Sequence, residues 1–226
     1  MLVLVHGWGL GPGLWHAVRR ALPDWPCHTL DLGFFGRARL EVPTGQPLLA
    51  VGHSLGFLWL LHHLAQSPWS ADCVGLVSIG GFARFGRAAD FPHGIAPRLL
   101  ARMRQRLPQD ATGVLRDFCR QGGGLASPDP VVTDTVPLVQ GLHWLENWDG
   151  RAALAAWAGP VYCLAAQDDA IVPPALTEAC FAAERVHWLA TGGHLLPLTR
   201  PVECGAFLLN ILGGGEPPPK PPTLFF

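Results

Sequence analysis

The chain is 226 residues long, 49% hydrophobic and 15% charged, with a formal net charge of −1 at pH 7. That length supports one well-filled core with room for an inserted subdomain, and the composition excludes a disordered polar chain. The charge balance excludes a whole-molecule pull toward nucleic acid or an anionic membrane, so neither is expected as a partner.

In chain order, the first element is LVLVHG (2–7), an apolar run with no basic leader before it. No apolar run approaches the roughly 20 residues of a membrane span, so a cytoplasmic protein is expected. The Gly-rich HGWGL (6–10) overlaps the end of this run. CHTLDL (27–32) and LLAVGH (48–53) repeat the strand signal, and the second runs straight into an apolar stretch of helical length ending at Ala65. CVGLVSIG (73–80), VYCLAA (161–166) and RVHWLA (185–190) complete the set. Near-continuous apolar strands alternating with helices predict a parallel sheet covered on both faces, hence α/β architecture.

Between Gly81 and Pro160 the strand signal is missing, but PRLLARMRQRL (97–107) and ATGVLRDFCRQ (111–121) carry helical patterning. A structureless loop of that size is implausible, so a helical cap inserted at about 82–158 is expected on a single domain spanning 1–212. GGGEPPPKPPTLFF (213–226) is too rich in Gly and Pro to continue a helix and is expected to be a flexible tail. The six cysteines, Cys27, Cys73, Cys119, Cys163, Cys180 and Cys204, are scattered without a CxxC pair and read as reduced core thiols. No spacing among the histidines suggests a metal site.

The chemistry concentrates at GHSLG (52–56), which fits G-x-S-x-G where a strand turns into a helix. A sharp turn there crowds the backbone, so glycines flank it, and Ser54 is thrown above the sheet edge as a candidate nucleophile. A serine needs a base and an acid to orient that base, in the order Ser, Asp, His. QDDAIVPP after the fifth run offers Asp168 or Asp169, and TGGHLLPL after the sixth offers His194. The turn at HGWGL can aim the backbone N–H of Trp8 at the same point as that of Leu55, making two oxyanion donors. His6, His53, His62 and His63 read as structural rather than proton-transferring.

These pieces, in this order, resemble the α/β-hydrolase superfamily over nearly the whole chain. The resemblance places the acid before the I-V-P segment, which favours Asp169, and implies a six-stranded, all-parallel sheet ordered 2-1-3-4-5-6, without the family's usual N-terminal hairpin. VLVHGWGLGPGLW (3–15), DLGFFGRAR (31–39), FPHGIAPRLLARMRQRL (91–107), RDFCRQ (116–121) and GGHLLPLTRP (192–201) are similar to the methyl ester esterases that release pimeloyl-acyl carrier protein in biotin synthesis. That resemblance implies a Ser54–His194–Asp169 triad, an oxyanion hole at Trp8 and Leu55, an acyl-chain contact at Phe118, and no cofactor. It departs at Phe57, where the family usually has a second glycine.

Charge bears on the same substrate. From Arg84 to Leu125 eight arginines face three aspartates, a net +5, which fits an acidic partner such as acyl carrier protein. Arg102, Arg106, Arg116 and Arg120 are the candidate contacts, on what is expected to be a monomer. Three alternatives stay open: a broad small-molecule carboxylesterase or lactonase, a thioesterase or acyltransferase, and a non-catalytic binding protein of the same fold.

Overall fold

The structure, a computed structural model, describes residues 1–124, 132 and 134–214. Residues 215–226 of the expected tail, and 125–131 and 133 of the insert, lie outside it.

Among the described residues six strands form one parallel sheet: β1 (Leu2–Val5), β2 (Cys27–Leu30), β3 (Leu48–His53), β4 (Cys73–Ile79), β5 (Val161–Ala166) and β6 (Val186–Leu189). Their order is β2-β1-β3-β4-β5-β6, as expected, and every neighbouring pair is parallel. Alternation along β1 divides the core. Val3 and Val5 join one apolar cluster, Leu2 and Leu4 the other, and all four are fully buried. The first face is covered by α2 (Leu55–Leu64) and α6 (Pro174–Cys180), the second by α1 (His16–Arg20), α7 (Leu196–Thr199) and α8 (Pro201–Leu212). Both faces are therefore dry, which is why the strands carry so few polar residues.

Helix α2 is buried nearly all round, from Leu55 through Leu61 and again at Leu64. A helix apolar on every side must lie inside, and each large side chain so buried contributes roughly 1.5–3 kcal/mol. The chain passes from β1 out to β2 and back to β3 on the other side of β1. Order reverses there, and in such sheets the crevice at the carboxyl ends of the strands receives the ligand.

Between β4 and β5 lie α3 (Pro97–Gln121), α4 (Val136–Asn147) and α5 (Arg151–Ala156). The two helical stretches expected within 97–121 are one span broken at Asp110, where φ is −150° and ψ 62°. Pro108 has no N–H to give the helix, and Asp110 Oδ1 accepts the N–H of Gly113 at 2.9 Å, capping the second half. The insert is fastened to the sheet domain at several points. Trp8 Nε1 donates to the carbonyl of Leu138 at 2.8 Å, the N–H of His194 donates to Gly122 at 2.9 Å, and the ring of His62 stacks on Trp148 at 3.9 Å between centroids.

The basic character of residues 84–125 is partly answered within the insert. Arg104 pairs with Glu146, Arg84 with Asp149, Arg106 with Asp110 and Asp117, and Arg120 with Asp117. Glu146 and Asp149 lie beyond the segment whose charge was counted, so that count overstated the field the insert presents. All six cysteines are free thiols, and burial pushes Cys163 up to about 12. No described helix is long and apolar enough to cross a membrane.

Candidate active site

Ser54 sits between β3 and α2 with φ 53° and ψ −125°, the one non-glycine residue among those described with positive φ. Such a conformation costs on the order of 1–3 kcal/mol and persists only where the surroundings impose it. Here they do. A Cβ on Gly56 would lie 2.4 Å from the carbonyl oxygen of Val5, and one on Gly52 would lie 2.4 Å from Phe57 Cα. Glycine at both places lets the start of α2 press against β1 and β3, and the sharp turn between them leaves the serine no relaxed alternative. Phe57 is buried, its ring against Phe181 at 5.6 Å.

The loops after β5 and β6 bring their candidates to this turn. His194 Nε2 lies 2.9 Å from Ser54 Oγ, and His194 Nδ1 lies 2.8 Å from Asp169 Oδ2. A carboxylate can only accept, so Nδ1 carries the ring proton and Nε2 is left as an acceptor for the serine hydroxyl. Asp169 Oδ1 is held by the N–H groups of Ile171 and Val172, both at 2.8 Å. Asp168 points elsewhere. Its two oxygens accept the N–H groups of Gly192 and Gly193, at 3.2 and 2.8 Å, and so hold the loop that carries the histidine. All three residues of the Ser–His–Asp chain are buried, Ser54 being 4% exposed.

His6 orients the HGWG turn, which carries the candidate oxyanion donor Trp8. The N–H of Leu32 points at its Nε2 at 3.0 Å, whereas Asp31 Oδ1 is farther away, at 3.5 Å, and is already engaged by the N–H of Gly33. Nε2 is therefore the acceptor, and Nδ1–H donates to the carbonyl of Gly7 at 2.9 Å. With that carbonyl pinned, the N–H of the same trans peptide, that of Trp8, is turned the opposite way. Gly7 lies against Ser54; a Cβ there would be 2.9 Å from Ser54 Cβ. Neither the Trp8 nor the Leu55 N–H meets an acceptor among the described residues.

An apolar cavity of about 280 Å³ lies under the insert, with Trp8, Phe85, Leu100, Met103, Leu142 and Ile171 in its wall. Phe118 belongs to that wall and also touches the site, its ring edge-on to Trp8 at 5.2 Å and to His194 at 6.1 Å. Ser54 is not in the cavity wall; Trp8 and Phe118 join the two. Of the arginines singled out, Arg102 and Arg106 line the cavity together with Asp117 and Gln121, while Arg116 and Arg120 lie outside it on exposed positions of α3. The cavity wall is drawn from five separate stretches; Trp8 and Ile171 belong to motifs and Arg102, Arg106 and Phe118 were candidates from the sequence, but no local signal shows that these stretches meet around one cavity. Gly122 was likewise missed. Its carbonyl, just past α3, accepts the N–H groups of His194 and Leu195 at 2.9 and 3.1 Å.

Residues 2–206 match the alpha/beta hydrolase family. The chain belongs to that family. Pimeloyl-[acyl-carrier protein] methyl ester esterase of Stenotrophomonas maltophilia is 30% identical to it, across 96% of this chain and 94% of the relative. The protein of the same name from Xanthomonas oryzae pv. oryzae is 31% identical, across 85% of this chain and 87% of its own length. Among solved structures, an esterase from Exiguobacterium antarcticum superposes with a TM-score of 0.79 over 94% of this chain and 91% of its own. At 15% identity that likeness speaks for the fold alone.

Proposed function

We propose that this protein is a serine esterase that hydrolyses the methyl ester of a pimeloyl chain borne on acyl carrier protein, a step in biotin synthesis. The family and the esterase-named relatives make the chain a carboxylic ester hydrolase. The observation that carries the mechanism is the hydrogen-bonded chain Ser54–His194–Asp169, at 2.9 and 2.8 Å. The finer substrate is supported by the relatives' names and by an apolar cavity edged with arginine.

In this mechanism His194 Nε2 takes the hydroxyl proton as Ser54 Oγ attacks the ester carbonyl, and the N–H groups of Trp8 and Leu55 receive the oxyanion. Asp169 holds the imidazole in the tautomer that can accept and stabilises the imidazolium that forms. His194 then protonates the departing methoxide oxygen, methanol leaves, and the acyl group stays on Ser54. Water, giving its proton to the same nitrogen, attacks the acyl-enzyme and the free carboxylic acid is released. The acyl chain occupies the cavity past Phe118. The carrier protein meets α3, where Arg102 is exposed and has no carboxylate partner among the described residues.

The test has two arms. Ser54→Ala should lower kcat on a short activated ester by on the order of 10⁴-fold or more without loss of fold; retained turnover ends the serine reading. Methyl pimeloyl-acyl carrier protein should be hydrolysed with a higher kcat/KM than a free methyl ester, with an advantage that shrinks as salt rises and falls about tenfold in Arg102→Glu. Equal kcat/KM for carried and free esters, indifferent to salt, would instead assign a small-molecule carboxylesterase, a reading favoured by the internal pairing of Arg106 and Arg120.

A further inference from the structure

We propose that His53 is a positioning residue whose ring N–H grips the backbone of His194 and keeps the general base in register with the nucleophile's own turn. The inference deepens the serine-esterase reading and rests on it. His53 immediately precedes Ser54, is fully buried, and its Nε2 lies 3.0 Å from the carbonyl oxygen of His194. A carbonyl can only accept, so Nε2 carries the proton and Nδ1 does not. Nδ1 has no hydrogen-bond partner among the described residues, and it faces the oxyanion loop: a Cβ on Gly7 would lie 2.8 Å from it. The two imidazoles stand 5.0 Å apart between centroids. One side chain thus contacts the loops that carry the base and the oxyanion donors, from a position next to the nucleophile.

Packing alone does not account for a histidine here. A leucine would fill similar space without leaving a buried ring nitrogen unsatisfied, so the polar ring is retained against a cost. The bond it makes addresses a specific weakness. His194 follows Gly192 and Gly193, both in backbone conformations at positive φ, which give the loop no stiffness of its own. The N–H of His194 is anchored to Gly122, at the end of α3 on the insert. Its carbonyl is anchored to His53, on the turn that carries Ser54. The second bond ties the base to the nucleophile whatever the insert does. The desolvation of the ring supports a neutral donor, since burial holds its pKa down at about 3.

The experiment compares His53→Leu, His53→Gln and His53→Asn in the full chain. A Gln amide nitrogen reaches the place of Nε2, whereas an Asn amide stops near that of Nδ1. The Leu and Asn variants should lose about 10- to 100-fold in kcat on a short activated ester with KM within about twofold, because a shift of about 1 Å in a reacting group costs that much. His53→Gln should stay within about threefold of the parent. The downfield proton resonance of His194 Nδ1–H should persist in parent and Gln variant and be lost or broadened in the other two. Parent-like kcat and resonance in Leu and Asn, or equal loss in all three, would overturn the proposal. Should the Leu variant fail to fold, the Gln–Asn pair decides. Ser54→Ala, assayed alongside, separates the two failures: if it still turns over, the serine reading falls, while His53 is judged by the resonance, which needs no turnover.

Discussion

Asp168 and Asp169 are adjacent in the chain and face different atoms. Asp169 meets the imidazole of His194, whereas Asp168 ties down the two glycines before it. Asp169→Asn should lower kcat by on the order of 10³–10⁴-fold. Its amide oxygen would remain on the N–H groups of Ile171 and Val172, presenting the NH₂ to His194 Nδ1 and forcing the proton onto Nε2, where it blocks proton transfer from Ser54. Asp168→Asn keeps one acceptor oxygen for the Gly193 N–H and should cost less than about tenfold. Steady-state kinetics on one short ester, both variants side by side, checks the pair; equal losses would contradict the division. Spacing alone did not separate these neighbours. Both follow the same strand, and only the path of the β6 loop decides which carboxylate the ring meets.

At the scale of elements, the site depends on how closely α2 approaches β1. The first turn of α2 packs on the carbonyls of Val5 and His6, and Gly56→Ala would place a methyl 2.4 and 2.7 Å from those two oxygens. Backbone cannot yield there without shifting the strand that leads to Trp8. The variant should lose on the order of 3 kcal/mol of stability in a denaturant titration, and a folded fraction should show reduced kcat because the turn at Ser54 and the HGWG turn move apart. An unchanged midpoint would mean that the helix shifts freely on the sheet. This element was legible beforehand, because strand, turn glycines and apolar helix occupy contiguous residues. The insert was legible only as helices. Its break at Asp110 is local, set by Pro108 and the Asp110–Gly113 cap, and falls between the two stretches read from the sequence, whereas its cavity arises from contacts between α3, α4 and the sheet domain that no local pattern encodes.

At the scale of the whole molecule, stability should fall on mild acidification. The folded protein keeps His53 neutral down to about pH 3, while an unfolded chain protonates it near the ordinary value of 6.5. Between those two pH values the unfolded state binds the extra proton, so stability rises with pH across the window and is lost as pH falls through it. One such proton corresponds to about 1.4 kcal/mol per pH unit. Asp149, held down at about 2 first by Arg151, adds a contribution that is present above 3.8 and disappears as pH falls toward 2. Thermal unfolding of the parent and of His53→Gln between pH 6.5 and 4 checks this: the variant should show a shallower slope, and identical slopes would place the titration on another group.

What the chain determined by itself is the part that physics makes local. Continuous apolar runs specify buried parallel strands, and two glycines about one serine specify a strained turn, since no other residues tolerate that crowding. The tertiary structure decided everything that requires distant backbone to meet: which aspartate orients His194, which arginines are already neutralised by Glu146 and Asp149, and where the cavity opens. It also turned His6 and His53 from flanking histidines into hydrogen-bond donors aimed at the backbone of Gly7 and of His194. A hydrogen bond across 141 positions of sequence leaves no trace in the residues between its ends.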